Sequence, residues 1–196
     1  MKSSALLITD PLCSWCWGTL PEIEAARREL ADTVQFDLIM AGLQVGTTEG
    51  LAEYNKQQLY RLWHEVHETT GQTFCGSIPE GFIYHSELAC RAVELARHRE
   101  GGPPWHFFHS LQSAFYVDGL DINRPETLAD LLGMTTDEVA AALADPAWVN
   151  AARANFAVAK KLSANALPGV YLDNRLVCGG YVTADQLVSD IRSRLC

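Results

Sequence analysis

The feature that most constrains this chain is a pair of cysteines, Cys13 and Cys16, separated by two residues. The pair follows the short apolar run 5–8, which predicts a strand that delivers both cysteines to the start of a helix. At a helix N-terminus the first thiol meets unpaired backbone N–H groups and the positive end of the helix dipole. Because the thiolate, not the thiol, attacks disulfides, this position favours reaction near neutral pH. We therefore expect Cys13 to be the nucleophile and Cys16, one turn further on and more buried, to be the resolving thiol.

Two other roles for such a pair, a structural zinc site and a structural disulfide, are less well supported by the sequence. Two cysteines at this spacing form half of a structural zinc site, but the second half is missing, so we expect no metal. A purely structural bridge across so short a loop would restrain little of the unfolded chain. The other cysteines stand alone: Cys75, Cys90, Cys178 and Cys196. An auxiliary disulfide between Cys75 and Cys90 stays open, and we expect Cys178 to be a buried, inert strand residue.

Composition limits the class of protein and its partners. The chain has 196 residues, 48% of them hydrophobic, which is enough for a substantial core in one globular unit. Its 24 acidic and 15 basic residues give a net charge of −9, which opposes binding to nucleic acid. The apolar stretches are too short to span a membrane, so we expect no membrane partner. The run 5–8 is also too short for a secretory signal, and we expect a cytoplasmic protein with mostly free thiols.

Periodicity and turn residues give a coarse order of elements. The patterns predict a strand over 4–9, a helix over 18–30, a strand over 33–40, helices throughout 51–161, strands over 169–172 and 175–178, and a closing helix after a Thr183 N-cap. Asp173-Asn174 is a suitable two-residue hairpin turn. Pro21 lies early in the first helix and removes a backbone donor there. We divide the chain into a first part over 1–44, a helical insertion over 45–161 and a second part over 162–196.

This order, with Cys-x-x-Cys between the first strand and helix, resembles the thioredoxin fold with an inserted α-helical subdomain, an α/β fold typical of the DsbA-like superfamily. The segment 10–18, Asp-Pro-Leu-Cys-Ser-Trp-Cys-Trp-Gly, resembles the active-site segment of its FrnE-like branch, described as predicted protein disulfide isomerases. The segment 111–122 is similar to a stretch of the insertion in DsbA-like proteins. Pro21 matches the kink proline of the first helix in thioredoxin-like proteins.

The resemblance also implies roles for residues around the cysteine pair. Leu167-Pro168-Gly169 corresponds to the loop whose proline is cis, where the backbone of Leu167 would pair with a substrate chain and Pro168 would keep metal-binding side chains away from the nucleophile. Asp10 would shuttle protons to the resolving thiol, as acids beneath the pair do in relatives. A turn or cap role for Asp10 is at least as compatible with the sequence.

The two residues between the cysteines should set the redox balance. Donors near the sulfur of Cys13 stabilise its ionised form, and Ser14 and Trp15 occupy the positions from which they would act. Neither is a histidine, whereas strongly oxidising relatives usually have Pro-His there, so we expect a less oxidising potential. Trp15 would line a peptide groove or simply pack against the protein; both interpretations remain open.

The resemblance implies a thiol-disulfide oxidoreductase or isomerase acting on protein or small-molecule thiols and disulfides. It needs no resident cofactor, although glutathione is a candidate co-substrate. A reducing cytosol would keep the pair reduced, which favours reductase or isomerase work. Two alternatives stand beside it: a glutathione-dependent transferase or isomerase of the kappa-class type, against which the retention of both cysteines argues, and a non-enzymatic redox-sensing adaptor. The sequence leaves the oligomeric state open.

Overall fold

The computed structural model describes residues 2–162 and 166–195. Within them the chain forms, in order, β1 (Ser3–Thr9), α1 (Ser14–Glu29), β2 (Val34–Met40), α2 (Glu53–Thr70), α3 (Glu87–Glu100), α4 (Trp105–Tyr116), α5 (Pro125–Leu132), α6 (Thr136–Ala144), α7 (Pro146–Lys161), β3 (Gly169–Leu172), β4 (Arg175–Gly179) and α8 (Ala184–Leu195). None of these helices has the length and apolar character needed to cross a bilayer.

The strands of the described residues form one mixed sheet in the spatial order β2-β1-β3-β4. Strand β1 runs parallel to β2 and antiparallel to β3, and β4 is antiparallel to β3. Helices α2 to α7 separate β2 from β3 along the chain, so the predicted α/β fold with an inserted helical part is confirmed. The domain boundaries at 44 and 161 stay a prediction.

Alternation along the strands buries both faces of the sheet. Leu7 of β1 and Leu38 of β2 belong to the main core, which also contains residues of α1 and α8. Ile8 and Ile39, the next residue in each strand, belong to a second cluster with Ala159 of α7. Because successive strand side chains point to opposite faces, the sheet lies between these two sets of helices.

The first helix begins earlier than its apolar pattern predicts. We expected it over 18–30, whereas it spans Ser14–Glu29 with Cys13 as its N-cap. The periodic residues Leu20 and Ile23 mark only the buried face of its middle, and the first turn contains the polar and sulfur-bearing residues of the active-site segment. Both cysteines therefore lie within the first turn, at the helix terminus itself.

The C-terminal elements follow the sequence closely. Asp173 and Asn174 have φ values of 48° and 64°, so they form the left-handed two-residue turn that matches a twisted hairpin. Thr183 precedes α8, and its hydroxyl oxygen accepts a hydrogen bond from the N–H of Gln186 at 3.3 Å. Strand β4 extends one residue beyond the prediction, to Gly179.

The isolated cysteines are free thiols where the structure describes them. Cys75 lies exposed in the loop between α2 and α3, and Cys90 is buried inside α3, so the disulfide between them that the sequence left open does not form. Cys178 is half-buried instead of fully buried, and burial raises the pKa of its thiol to about 11. Because only a small fraction of Cys178 side chains is ionised at neutral pH, this cysteine is a poor nucleophile. Cys196 lies outside the described residues.

Gly18 allows α1 and α2 to approach closely. A Cβ added at Gly18 would lie 2.4 Å from Cγ1 of Val66 and 3.1 Å from Cγ2 of Thr70. We therefore expect Gly18→Ala to lower the free energy of unfolding by about 1–3 kcal/mol through overpacking. Urea unfolding measures this change. Val66→Ala should remove most of the clash, so the same substitution should cost less in that background; an equal cost in both backgrounds would contradict the explanation.

Candidate active site

Cys13 and Cys16 lie at the N-terminus of α1, and the N–H of Cys16 donates a hydrogen bond to Sγ of Cys13 at 3.3 Å. Cys13 is 9% exposed and Cys16 is 2% exposed. The more exposed of the two cysteines is therefore the one whose sulfur accepts a backbone N–H at the positive end of the helix dipole, an arrangement that stabilises a thiolate. This geometry agrees with the predicted roles, in which Cys13 attacks and Cys16 resolves.

The Cys16 thiol is held in its protonated form. Burial raises its pKa well above the ordinary value, and the neighbouring Cys13 raises it further through a hydrogen bond and its charge. Hydrogen bonds with the Thr9 side chain and the Asp10 backbone act in the opposite direction without reversing the shift. Once Cys13 has formed a disulfide it carries no charge. Its charge then no longer raises the pKa of Cys16, so Cys16 ionises more readily.

Asp10 is fully buried beneath the pair and connects three parts of the chain. One carboxylate oxygen accepts the N–H of Leu12 at 3.0 Å. The other accepts the N–H of Gly42 at 2.9 Å, the N–H of Leu43 at 2.8 Å and the hydroxyl of Ser86 at 2.8 Å. These bonds fix the active-site loop against the loop after β2 and the start of α3.

The hydrogen bonds of the Asp10 carboxylate bear on the proton-shuttle hypothesis. Within the described residues the carboxylate accepts hydrogen bonds from backbone N–H groups, from the Ser86 hydroxyl and, at 4.0 Å, from the Cys90 thiol, and none joins it to the Cys16 thiol. Burial raises the pKa of Asp10, and the hydrogen bonds oppose that rise. Proton transfer by Asp10 stays a prediction, whereas its capping of two loops is a property of the structure.

The peptide bond between Leu167 and Pro168 is cis. Strand β3 begins at the next residue, Gly169, which pairs with Ile8 near the end of β1. The loop therefore lies at the same end of the sheet as the segment carrying the cysteines. The carbonyl of Pro168 accepts the N–H of Gly180 at 2.8 Å, which joins this loop to the one after β4.

Trp15 is half-buried and borders this end of the sheet. Its ring lies 6.4 Å from the ring of Tyr181, at an interplanar angle of 42°. Tyr181, which is 36% exposed, follows Gly180 in the loop joined to Pro168. The sequence did not single out Tyr181, since an isolated tyrosine after a glycine carries no pattern of its own. Ser14, by contrast, is buried.

Several side chains of the helical insertion reach the active-site segment, Ser86 and His109 among them. Tyr84, Gln112 and Tyr116 also do so, and sequence reasoning gave these three no role. The hydroxyl of Tyr84 donates to the carbonyl of Leu12, directly before Cys13. The other two are Gln112 and Tyr116, both on α4. The sequence pointed to Gln112 and Tyr116 only through their position in the segment 111–122. The resemblance of that segment to DsbA-like proteins assigns no role to individual residues.

Helix α4 supports the active-site segment through this pair. The Nε2 group of Gln112 donates to the carbonyl of Asp10 at 3.3 Å. The ring of Tyr116 stacks on Trp17 of α1, with centroids 6.0 Å apart and planes 10° apart. The insertion thus forms one wall of the active site.

An open cavity of about 670 Å³ adjoins this wall. It is lined by the loop around 44–52, by α2 and by Tyr84. Tyr84, whose hydroxyl contacts the carbonyl before Cys13, lies between the cavity and the active-site segment. Its size suits a small ligand or part of a peptide. Within the described ranges, no group of three or more His, Cys, Asp or Glu residues is placed to hold a metal ion.

Comparison with known proteins gives likenesses to solved structures, while no family model and no curated protein matches. A candidate protein disulfide isomerase from Nitrosomonas europaea is 29% identical, with 100% of this chain and 98% of that chain covered and a TM-score of 0.89. The cytosolic disulfide reductase DsbM from Pseudomonas aeruginosa, solved with glutathione, is 21% identical over 98% of each chain, with a TM-score of 0.75. A probable DsbA oxidoreductase from Streptomyces coelicolor is 20% identical over 98% of this chain and 90% of that chain, with a TM-score of 0.78.

Proposed function

We infer that this chain, a DsbA-like protein with a thioredoxin fold, is a thiol-disulfide oxidoreductase that acts through a mixed disulfide on Cys13. The observation that carries this conclusion is the geometry of the pair: the sulfur of Cys13, the more exposed of the two residues, lies at the helix N-terminus and accepts the N–H of Cys16, which is more deeply buried one turn behind. Structural neighbours over the whole chain include proteins named as a disulfide isomerase and a disulfide reductase. Thiol-disulfide chemistry, predicted from the sequence, is supported by both.

The first step is attack of the Cys13 thiolate on one sulfur of a substrate disulfide. A bond forms between that sulfur and Sγ of Cys13, and the substrate S–S bond breaks. The second substrate sulfur leaves as a thiolate and takes a proton from water. The backbone N–H of Cys16 and the helix dipole favour the ionised nucleophile before attack.

The second step releases the substrate and oxidises the pair. Cys16 loses its proton and attacks Sγ of Cys13, which forms the Cys13–Cys16 disulfide and expels the remaining substrate sulfur as a thiolate. The substrate disulfide has then gained two electrons and the pair has lost two. Two equivalents of an external thiol such as glutathione restore the reduced pair. Run backwards, the same steps oxidise a substrate dithiol, and release before resolution gives isomerisation.

The raised pKa of Cys16 predicts that its attack depends on pH. Below that pKa the thiolate fraction rises about tenfold for each pH unit, so we expect resolution of a preformed mixed disulfide to accelerate from pH 6 to pH 8. Stopped-flow release of a chromogenic thiol bound to Cys13 measures the rate. A pH-independent rate across this range would show that ionisation of Cys16 does not limit the step.

For the substrate, we propose that an extended chain or small thiol binds beside Trp15 and Tyr181, against the backbone of Leu167. The half-buried Trp15 and the partly exposed Tyr181 supply apolar surface there, and the cavity beside Tyr84 offers further room. Glutathione is a fitting co-substrate because a neighbour of the same fold was solved with it. A cytoplasmic location agrees with the free thiols at Cys75 and Cys90 and would favour reduction or isomerisation.

The two alternatives are less well supported. A kappa-class type of glutathione transferase or isomerase would use a serine or single thiol, whereas here the second cysteine is retained in the position for resolution. A redox-sensing adaptor would not require a nucleophile and a resolving thiol in distinct environments. Neither alternative gains a specific observation from the structure.

Reduction of insulin disulfides with glutathione as the electron donor tests the proposal. We expect turnover well above the reaction without protein. The matched control is Cys75→Ser, since Cys75 is an exposed thiol in a loop outside the pair and its loss should leave turnover unchanged. Absence of turnover in the wild type with insulin, with glutathione disulfide and with a scrambled disulfide protein would overturn the proposed function.

A further inference from the structure

Three buried polar atoms near the nucleophile lack hydrogen-bond partners. In the part of the chain that the structure describes, these are Oγ of Ser14, Oε1 of Gln112 and the hydroxyl oxygen of Tyr116. Ser14 is 3% exposed, and the other two residues are fully buried. Unpaired buried polar groups are few in native proteins and cost free energy, so three around one segment call for a functional reason.

The packing of α4 on α1 brings two of these atoms together. Gln112 and Tyr116 are four residues apart on α4 and share one face of it. That face meets the active-site segment, because Gln112 donates to Asp10 and the Tyr116 ring stacks on Trp17. Ser14 lies three residues before Trp17, on the same side of α1. This spacing places Tyr116 and Ser14 on the sides of α4 and α1 that pack together.

The ionisation behaviour of Tyr116 agrees with this placement. Burial raises the pKa of Tyr116 well above its ordinary value, and the charges of Tyr84 and then Cys13 raise it further, while hydrogen bonding with the Ser14 side chain lowers it. The phenol thus stays protonated and can act only as a neutral hydroxyl at physiological pH. It lies within electrostatic reach of both Ser14 and Cys13, yet neither hydroxyl oxygen has a partner of good hydrogen-bond geometry.

We propose that Tyr116 is a positioning residue for the nucleophile: it donates to Oγ of Ser14, whose own O–H then points at the Cys13 thiolate. The inference rests on the proposed function and adds a group from the helical insertion to it. The two hydroxyls, unpartnered while Cys13 is a thiol, gain partners when negative charge develops on the sulfur. Donors held in place before the charge forms are the efficient way to stabilise it.

The other titratable groups that face the pair do not offer this donor. Asp10 and Cys16 are each either neutral or negatively charged. Whether or not Asp10 is ionised, its oxygens stay hydrogen-bonded to Gly42, Leu43 and Ser86. Tyr84 already gives its hydroxyl proton to the carbonyl of Leu12. Among the side chains around Cys13, Ser14 and Tyr116 therefore hold the hydroxyl protons that are free to turn toward the sulfur.

The test is the pH profile of Cys13 alkylation by iodoacetamide in the reduced protein, read by mass spectrometry. We expect Ser14→Ala to lower the thiolate fraction at fixed pH about tenfold, since it removes a hydrogen bond to a charged group. Tyr116→Phe should lower it about threefold. The double variant should behave like Ser14→Ala alone, because the tyrosine acts through the serine.

The matched control is Tyr171→Phe. Tyr171 is 3% exposed, and its hydroxyl donates to the carbonyl of Leu162 in the second cluster, away from the pair. This change should leave the alkylation profile of Cys13 where it is. All variants are first checked by thermal unfolding, and Ser14→Ala keeps the test decisive if Tyr116→Phe does not fold.

Two results would overturn the inference. A merely structural Tyr116 would lose only an unpartnered hydroxyl, so Tyr116→Phe would be neutral or stabilising and the profile would not move. Fully additive effects of the two substitutions would show that the tyrosine does not act through Ser14. Alkylation requires no turnover, so a protein that fails to reduce disulfides would overturn the proposed function while leaving this measurement able to decide the role of Tyr116.

Discussion

Replacing Cys13 by serine should lower the rate of disulfide reduction to that of the reaction without protein, a loss of about three orders of magnitude or more. No other described thiol combines the N-cap position of a helix with comparable exposure: Cys16 and Cys90 are more deeply buried, Cys75 lies in a loop and Cys178 lies in β4. The measurement is insulin reduction, with Cys75→Ser as the control that loses an exposed thiol without losing activity. Retention of turnover by Cys13→Ser would contradict the assignment of the nucleophile.

The companion change, Cys16→Ser, should separate attack from resolution. The nucleophile remains, so the protein should still form a mixed disulfide, but without the buried second thiol that adduct should persist. Mass spectrometry of the protein after exposure to glutathione disulfide should show one glutathione bound at Cys13. Wild-type protein should lose the adduct and gain the internal disulfide. Rapid release of glutathione from Cys16→Ser would mean that resolution uses another group.

The largest effect on stability is expected from Asp10→Ala. Removal of the carboxylate leaves three backbone N–H groups without an acceptor, those of Leu12, Gly42 and Leu43, and takes one of two acceptors from the hydroxyl of Ser86. Each orphaned donor costs about 1–3 kcal/mol, and relief from burying the carboxylate offsets part of the sum, so we expect a net loss of roughly 3–5 kcal/mol. Urea unfolding measures it. Ser86→Ala, which removes one of the four bonds, should cost only about 1 kcal/mol; equal losses would contradict the account.

The same residue gives stability a pH dependence of known sign. Burial raises the pKa of Asp10 above its ordinary value of 3.8, so the folded state binds this proton more tightly than the unfolded state. Its contribution is therefore complete below about pH 3.8 and is lost as the pH rises through the folded-state pKa. The difference in unfolding free energy between wild type and the non-titrating Asp10→Asn should fall across that window. A difference that grows with pH would show that the hydrogen bonds outweigh burial.

Local patterns were enough to predict the order of elements and the cysteine pair. The Cys-x-x-Cys spacing and the apolar strand before it lie within a dozen residues, so Cys13 could be proposed as the nucleophile without knowledge of the rest of the fold. The hairpin turn at Asp173-Asn174 was equally local. The start of α1 was misplaced because its first turn is defined by the cap at Cys13, not by apolar periodicity.

The wall of the site could not be predicted in this way. Tyr84, Gln112 and Tyr116 lie about 70 to 100 residues from Cys13 along the chain and reach it only through the packing of the insertion on α1. Helical periodicity would place Gln112 and Tyr116 on a shared face but cannot say what that face contacts. Three of the groups that donate hydrogen bonds to Asp10, on Gly42, Leu43 and Ser86, are also distant along the chain, which is why its loop-capping role emerges only in three dimensions.

The equilibrium redox potential of the Cys13–Cys16 pair, titrated in glutathione buffers, tests the central claim most directly. We expect a single two-electron transition between the potentials of thioredoxin and DsbA, about −270 to −120 mV, and on the less oxidising side of DsbA because no histidine lies between the cysteines. A pair that never closes to a disulfide in this range, or that forms only a stable glutathione adduct at Cys13, would contradict the account.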